Sequence, residues 1–358
     1  MSQRPPLRPD LSGLEAYGSP QPDAPVRLNT NESPYPLPQA FADELSEAIR
    51  TMPLHRYPDR EARELRAGLA YVSGHPLEGL WAANGSNEVI QHLCLAYGGA
   101  GRRAMVFEPT YGLHSLIPRI VGMEVIRERL GEGFRLQPEA AGGAVWRHRP
   151  HIAFVCSPNN PTGNGQLVAA VQALCESTEG LVVVDEAYGE FGGLSAQVLL
   201  ERFPNLVVVR TFSKAFSLAA VRVGYCLAAP DLVEELARVR LPYHLSSLTQ
   251  AAGQIALRHI GEAREVLDLI RFERDRMVSE LSAMPTVEVF PSEANFALFR
   301  TTADAPVLWQ ALLDRGVLVR DVSGGSGLER CLRVTAGRPD ETDAFLDALR
   351  DSLVEVTV

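Results

Sequence analysis

The chain has 358 residues, 46% of them hydrophobic and 22% charged, which is material for about two domains at ~150 residues each and too apolar for a disordered or fibrous chain. Its 44 acidic residues against 34 basic ones leave a net charge of −10, so no nucleic-acid partner is expected. No signal-like apolar stretch follows the first arginines and no apolar run of membrane-spanning length occurs later. Neither export nor a membrane partner is therefore expected, and the chain reads as cytoplasmic.

In chain order, residues 1–38 are rich in proline and polar groups and end in LNTNESPYPLP, which predicts an extended arm draped over the body and then turns. QAFADELSEAIR predicts a helix, LHRYPD breaks it, and REARELRAGLAYVSG starts another. Gly98-Gly99-Ala100-Gly101 follows a helical pattern, not a strand, and so reads as a helix-ending turn; without the dinucleotide fingerprint, a nicotinamide enzyme is not expected. Helices then alternate with near-continuous apolar runs at 104–108, 151–157, 181–187, 206–212 and 223–229. Such runs predict an α/β fold with a mostly parallel sheet buried on both faces. RVRLPYHLSS leads into a long helix expected from about 248 to 283 with a break near Gly261. The remaining stretches TVEVF, NFALFR, VLVRDV and LRVT, with two helices among and after them, predict a small α+β lobe. The division expected is an arm over 1–38 that joins the small domain, a large cofactor-binding domain over 39–260, and a linking helix with a small C-terminal domain over 261–358.

Five scattered cysteines without a CxxC pair suit a reducing compartment, and the close pair His148 and His151 has no cysteine or carboxylate cluster beside it, so no metal site is expected. A sharper feature is that 33 of the 34 basic residues are arginine and one is lysine, Lys214. Arginine replaces lysine in most solvated ion pairs but cannot lose a proton and attack a carbonyl, so the surviving lysine is a candidate for Schiff-base chemistry.

Ligands of open parallel sheets sit at the carboxyl ends of strands. There the chain places Pro158-Asn159-Asn160-Pro161-Thr162-Gly163, then Asp185 and Tyr188, then Ser213 and Lys214 with Arg222 close behind. These residues match what a lysine-bound pyridoxal phosphate needs. Asp185 would keep the pyridine nitrogen protonated, while Asn160 and Tyr188 would donate to the phenolic oxygen and lower the pKa of the internal aldimine. Gly85, Ser86 and Asn87, at the start of a helix, together with Ser213 and Arg222, would hold the phosphate. Tyr111 would stack on the ring.

As a set, SPNNPTG, DEAY, TFSKAF and Arg222-Val223-Gly224 resemble the class I/II aminotransferases of pyridoxal-phosphate fold type I, over nearly the whole chain. LNTNESPY, HRYPD, NGSNE, PYHLS, SEANFALFR, GVLVRDVSG and LRVTAG are similar to the histidinol-phosphate aminotransferase subfamily. The resemblance implies a seven-stranded, mainly parallel sheet domain, a small domain built from both termini, and a homodimer whose sites borrow residues from each other. It also implies that Lys214 carries the cofactor and moves the proton, and that Tyr57 reaches the neighbouring subunit's cofactor phosphate. By the same resemblance, Arg333 clamps the carboxylate of glutamate or 2-oxoglutarate, and Arg320, with Arg333, Tyr17 and Asn31, receives the tail of an amino phosphate ester. The function so implied is amino transfer between L-histidinol phosphate and 2-oxoglutarate. Transamination of aromatic amino acids, or decarboxylation of threonine phosphate, is the alternative on the same scaffold. One departure is His244, in PYHL, where the family often has asparagine.

Overall fold

A computed structural model describes residues 4–18 and 20–356, so residues 1–3, 19, 357 and 358 at the ends of the expected arm and small domain, or within the arm, lie outside the described residues. Along the chain run β1 (Val26–Arg27), α1 (Gln39–Thr51), α2 (Arg63–Ser73), β2 (Leu80–Ala83), α3 (Ser86–Tyr97), β3 (Arg103–Glu108), α4 (Leu113–Ile120), β4 (Glu124–Arg129) and α5 (Pro138–His148). They are followed by β5 (Ile152–Cys156), α6 (Val168–Ser177), β6 (Leu181–Asp185), β7 (Leu206–Thr211), β8 (Gly224–Leu227), α7 (Pro230–Leu236), α8 (Ser247–Arg258) and α9 (Ile260–Ser282). The C-terminal part adds β9 (Val287–Val289), β10 (Phe296–Thr301), α10 (Ala305–Asp314), β11 (Val317–Leu318), β12 (Arg320–Asp321), β13 (Cys331–Thr335) and α11 (Pro339–Val356).

Seven strands form the main sheet in the order β2-β8-β7-β6-β5-β3-β4, with β8 alone running against its neighbours. Successive side chains of a strand face opposite sides. Accordingly Val182, Val184 and Val208 pack with α2, α5, α6 and α8, whereas Leu181, Val183 and Val207 pack with α3, α4 and α7. That double cover is why β5 is apolar along its whole length and β6 up to its final residue, Asp185. β4, at the edge, is EVIRER and half solvated, and its charges guard an unpaired edge. Its charges break up any apolar run, and the apolar run of β2 ends with the strand itself, whereas that of β8 extends over 223–229.

The second sheet, β12-β13-β10-β9, is antiparallel and shares its core with α9, α10 and α11. The arm is more than draped: β1 pairs in parallel with β11, and Leu28, Asn29 and Asn31 are buried. The helix break expected near Gly261 is present, two residues earlier at His259. Gly261 is helical with open space around it, while His259 leaves the helix and is held between Glu44 of α1, at 2.9 Å, and Glu262, at 3.2 Å. The break separates α8, buried against the large sheet, from α9, whose Leu267, Ile270, Met277 and Leu281 enter the small core. Among the described residues no helix is long and apolar enough to cross a membrane.

Candidate active site

A cavity of about 670 Å³ opens where β5, β6 and β7 end and the arm and small lobe close over them. Its lining contains Tyr17, Asn31, Ser86, Asn87, Tyr111, Asn160, Asp185, Tyr188, Ser213, Lys214, Arg222, Arg320 and Arg333.

Lys214, three residues past β7, donates from Nζ to the Thr30 carbonyl at 2.9 Å. Burial, reinforced by the positive charge of Arg333, lowers its pKa to about 8, which makes it a far better nucleophile near neutrality than an ordinary lysine. Asp185 ends β6 and is 2% exposed. Its Oδ1 accepts the Ala187 N–H at 3.0 Å and its Oδ2 meets His114 Nε2 at 3.0 Å. His114 is fully buried and stacked on Phe154 with centroids 5.2 Å apart. The sequence reading missed His114, whose only cue was its place one helical turn after Tyr111. The two asparagines of SPNNPTG divide the work. Asn159 braces the loop, donating to Pro109 O at 2.8 Å and to Thr162 Oγ1 at 2.7 Å, while Asn160 faces the cavity.

The cradle for an anion lies at the start of α3. Gly85 has φ +83, and a Cβ there would stand 2.3 Å from Arg222 Nη2, so only glycine lets the guanidinium approach. Gly224 is required likewise, because its Cβ would lie 2.2 Å from the Gly85 carbonyl carbon. Arg222 Nη1 donates to Ser213 Oγ at 3.0 Å, and Ser213 in turn is held by Thr211 Oγ1 at 3.0 Å. Glu88, one turn into α3, accepts the Asn84 N–H at 2.6 Å and pins the loop. Free helix-terminal donors, one guanidinium and a serine suit a phosphate, and an amine and a shielded carboxylate lie across from them. This donor set fits pyridoxal phosphate.

The roof comes from the other lobe. Arg333 gives Nη1 to Asn160 Oδ1 at 2.5 Å and Nη2 to Asn29 O at 2.7 Å, yet its buried Nε has no hydrogen-bond partner among the described residues. Arg320 Nη2 donates to Gly18 O at 3.2 Å, and its buried Nη1 is likewise without a partner among the described residues. Two orphaned guanidinium donors beside one cavity call for anions. Tyr17 packs edge-on against Tyr111, with centroids 6.0 Å apart, and Tyr111 donates to Asn87 Oδ1 at 3.3 Å. Asn31 is engaged from both ends of its amide, by Tyr188 and by Thr335. Thr335 was also missed, although it stands two residues after Arg333 on the same face of β13, a period-two cue the sequence did carry.

Two of the singled-out residues lie elsewhere. Tyr57 is 80% exposed and stacks on Tyr243 at 4.4 Å, outside the cavity of its own chain. His244 turns away from the cavity, stacking on Trp81 at 5.5 Å with Nε2 against Ala82 O at 3.0 Å, while its carbonyl takes the Asn84 amide at 2.7 Å.

A profile of the family described as "Aminotransferase class I and II" matches residues 24–349. The chain is 49% identical over 363 aligned positions to the histidinol-phosphate aminotransferase of Frankia casuarinae, covering 97% of this chain and 90% of that protein. It is 46% identical over 353 positions to the histidinol-phosphate aminotransferase of Mycobacterium marinum, covering 96% and 91%. Among solved structures, the histidinol-phosphate aminotransferase of Sinorhizobium meliloti in complex with pyridoxal-5'-phosphate superposes with a TM-score of 0.86 at 24% identity, over 98% of each chain.

Proposed function

The chain belongs to the class I and II aminotransferases, and on that footing we propose that it moves the amino group of L-histidinol phosphate to 2-oxoglutarate, giving imidazole acetol phosphate and L-glutamate in histidine biosynthesis. The enzyme is a pyridoxal-phosphate-dependent transaminase. When bound, the cofactor supplies an aldehyde for a lysine and a ring that accepts the electron pair left when the substrate Cα–H bond breaks. The observation that carries the reading is the chain's one lysine, set on the cavity floor with a buried carboxylate on one side and two under-satisfied arginines above.

The residues then divide the task. Lys214 would anchor the cofactor and, once displaced by the amino donor, would carry the proton from the substrate α-carbon to the cofactor carbon that had held the lysine, a role its lowered pKa of about 8 suits. Asp185, held by His114, would be the carboxylate partner of the ring nitrogen. Gly85, Ser86, Asn87, Ser213 and Arg222 hold the phosphate, Tyr111 covers the ring, and Asn160 and Tyr188 face the phenolic oxygen. Arg333 binds the carboxylate of glutamate or 2-oxoglutarate, and Arg320 with Tyr17 binds the phosphate tail of the amino donor; one cationic roof thus serves two anionic substrates in turn. The working form on this reading is a cytoplasmic homodimer in which Tyr57 serves the neighbouring subunit's cofactor phosphate. Its support is a tyrosine pair exposed at the surface and unused by its own cavity.

The test is spectroscopic. The purified holoenzyme mixed with L-histidinol phosphate and no oxo acid should lose the visible band of the lysine-bound cofactor and gain the band of its amino form. An unchanged band with histidinol phosphate, but conversion by an aromatic amino acid, would reassign the substrate.

A further inference from the structure

Tyr188 is buried, and its hydroxyl is the target of two amide donors: Asn31 Nδ2 at 2.9 Å and Asn160 Nδ2 at 3.3 Å. Each amide is held with its nitrogen toward the tyrosine. Asn160 Oδ1 is taken by Arg333 Nη1 at 2.5 Å, and a guanidinium can only donate, so the amide nitrogen must face the tyrosine. Asn31 Oδ1 is taken by the Thr335 hydroxyl at 3.1 Å. The Thr335 oxygen also receives the Asn31 backbone N–H at 3.0 Å, which holds the hydroxyl in place while it donates to Asn31 Oδ1. Both approaches to the Tyr188 oxygen from the asparagines are therefore occupied by hydrogens, and its own proton has to leave in the remaining direction, toward the cavity that Tyr188 lines.

We infer that Thr335 and Asn31 form a buried relay that aims the Tyr188 proton at the phenolic oxygen of the bound cofactor. This makes both of them positioning residues for the reaction. The inference rests on the proposed function and deepens it, giving Asn31 a task at the cofactor in place of one at the substrate tail. Burial pushes the Tyr188 phenol above its ordinary range, so its proton is present throughout the working pH range. A proton donated to the phenolic oxygen favours the form of the cofactor–lysine linkage that has lost its own proton, and so lowers the pH at which that loss occurs. Without the Thr335 hydroxyl the Asn31 amide can turn over, present its oxygen, and take the Tyr188 proton for itself.

The experiment is a pH titration of the visible absorbance of the Lys214–cofactor chromophore in the holoenzyme. Thr335→Val should raise the midpoint by roughly half a pH unit to one unit, the worth of one redirected hydrogen bond. Thr335→Ser, which keeps the hydroxyl, should leave it at the wild-type value. In a Tyr188→Phe background, where there is no proton to aim, Thr335→Val should produce no further rise. A Thr335→Val holoenzyme with the wild-type midpoint, or one whose rise persists without the tyrosine hydroxyl, overturns the relay while leaving the enzyme reading intact. A wild-type protein with no Lys214-dependent band overturns that reading, and the relay with it.

Discussion

The floor and the roof of the cavity are built by different rules. On the floor, Asp185 ends β6 and Ser213 and Lys214 follow β7, so each reactive group stands at the end of a strand buried on both faces and locked in register to its neighbours. On the roof, Asn29 and Arg333 meet although they are 304 positions apart, and Arg320 reaches Gly18 across 302. The floor inherits its geometry from the large sheet; the roof exists only when a two-strand pairing, β1 with β11, brings the arm onto the small lobe. A floor made this way suits a permanently held cofactor, and a roof made this way suits substrates that must enter and leave.

The hardest blow to the floor is Lys214→Ala. It should reduce turnover by at least about 10⁴-fold, removing anchor and proton carrier together, while the far-ultraviolet circular dichroism stays that of the wild type. A variant that still transaminates would sink the mechanism. A blow to the roof should be smaller and selective. Arg320→Ala is expected to raise KM for histidinol phosphate roughly 10- to 100-fold, the loss of a charge-assisted pair, and to change KM for an unphosphorylated amino donor little; equal losses on both would remove the phosphate assignment.

Leu28→Ala tests whether the two regions can be separated at all. Leu28 is buried in the small core beside β1, and its truncation should cost about 2–4 kcal/mol of stability by chemical denaturation. With the cofactor band kept and KM raised several-fold, the arm is confirmed as a part of the roof alone. The mildest test is titration. With burial and Arg333 holding Lys214 down at about 8, cofactor uptake by cofactor-free protein should accelerate as pH rises and level off above that value. Arg333→Leu removes a positive charge that disfavours the ammonium, so the levelling point should move upward.

The contrast also governs what could be read in advance. Apolar runs marked β3, β5, β6, β7 and β8 because a strand covered on both faces has to be apolar throughout, and the polar residue after each run was then a candidate without further knowledge. His114 left almost no trace, since its link to Asp185 spans 71 positions and a buried histidine looks like any other in the sequence. Thr335 was passed over although its spacing of two from Arg333 on β13 marked it, and the packing of the arm into the small lobe was implied by the family resemblance alone.

The order of chemical groups along this chain, with its lone lysine after β7, determined a pyridoxal-phosphate site by itself, because each of those groups is delivered by local structure and hydrophobic periodicity. Tertiary structure alone decided which donors on the roof lack partners, which histidine backs Asp185, and which way the Tyr188 proton points. Those depend on hydrogen-bond directions between residues far apart in sequence, which no local pattern encodes.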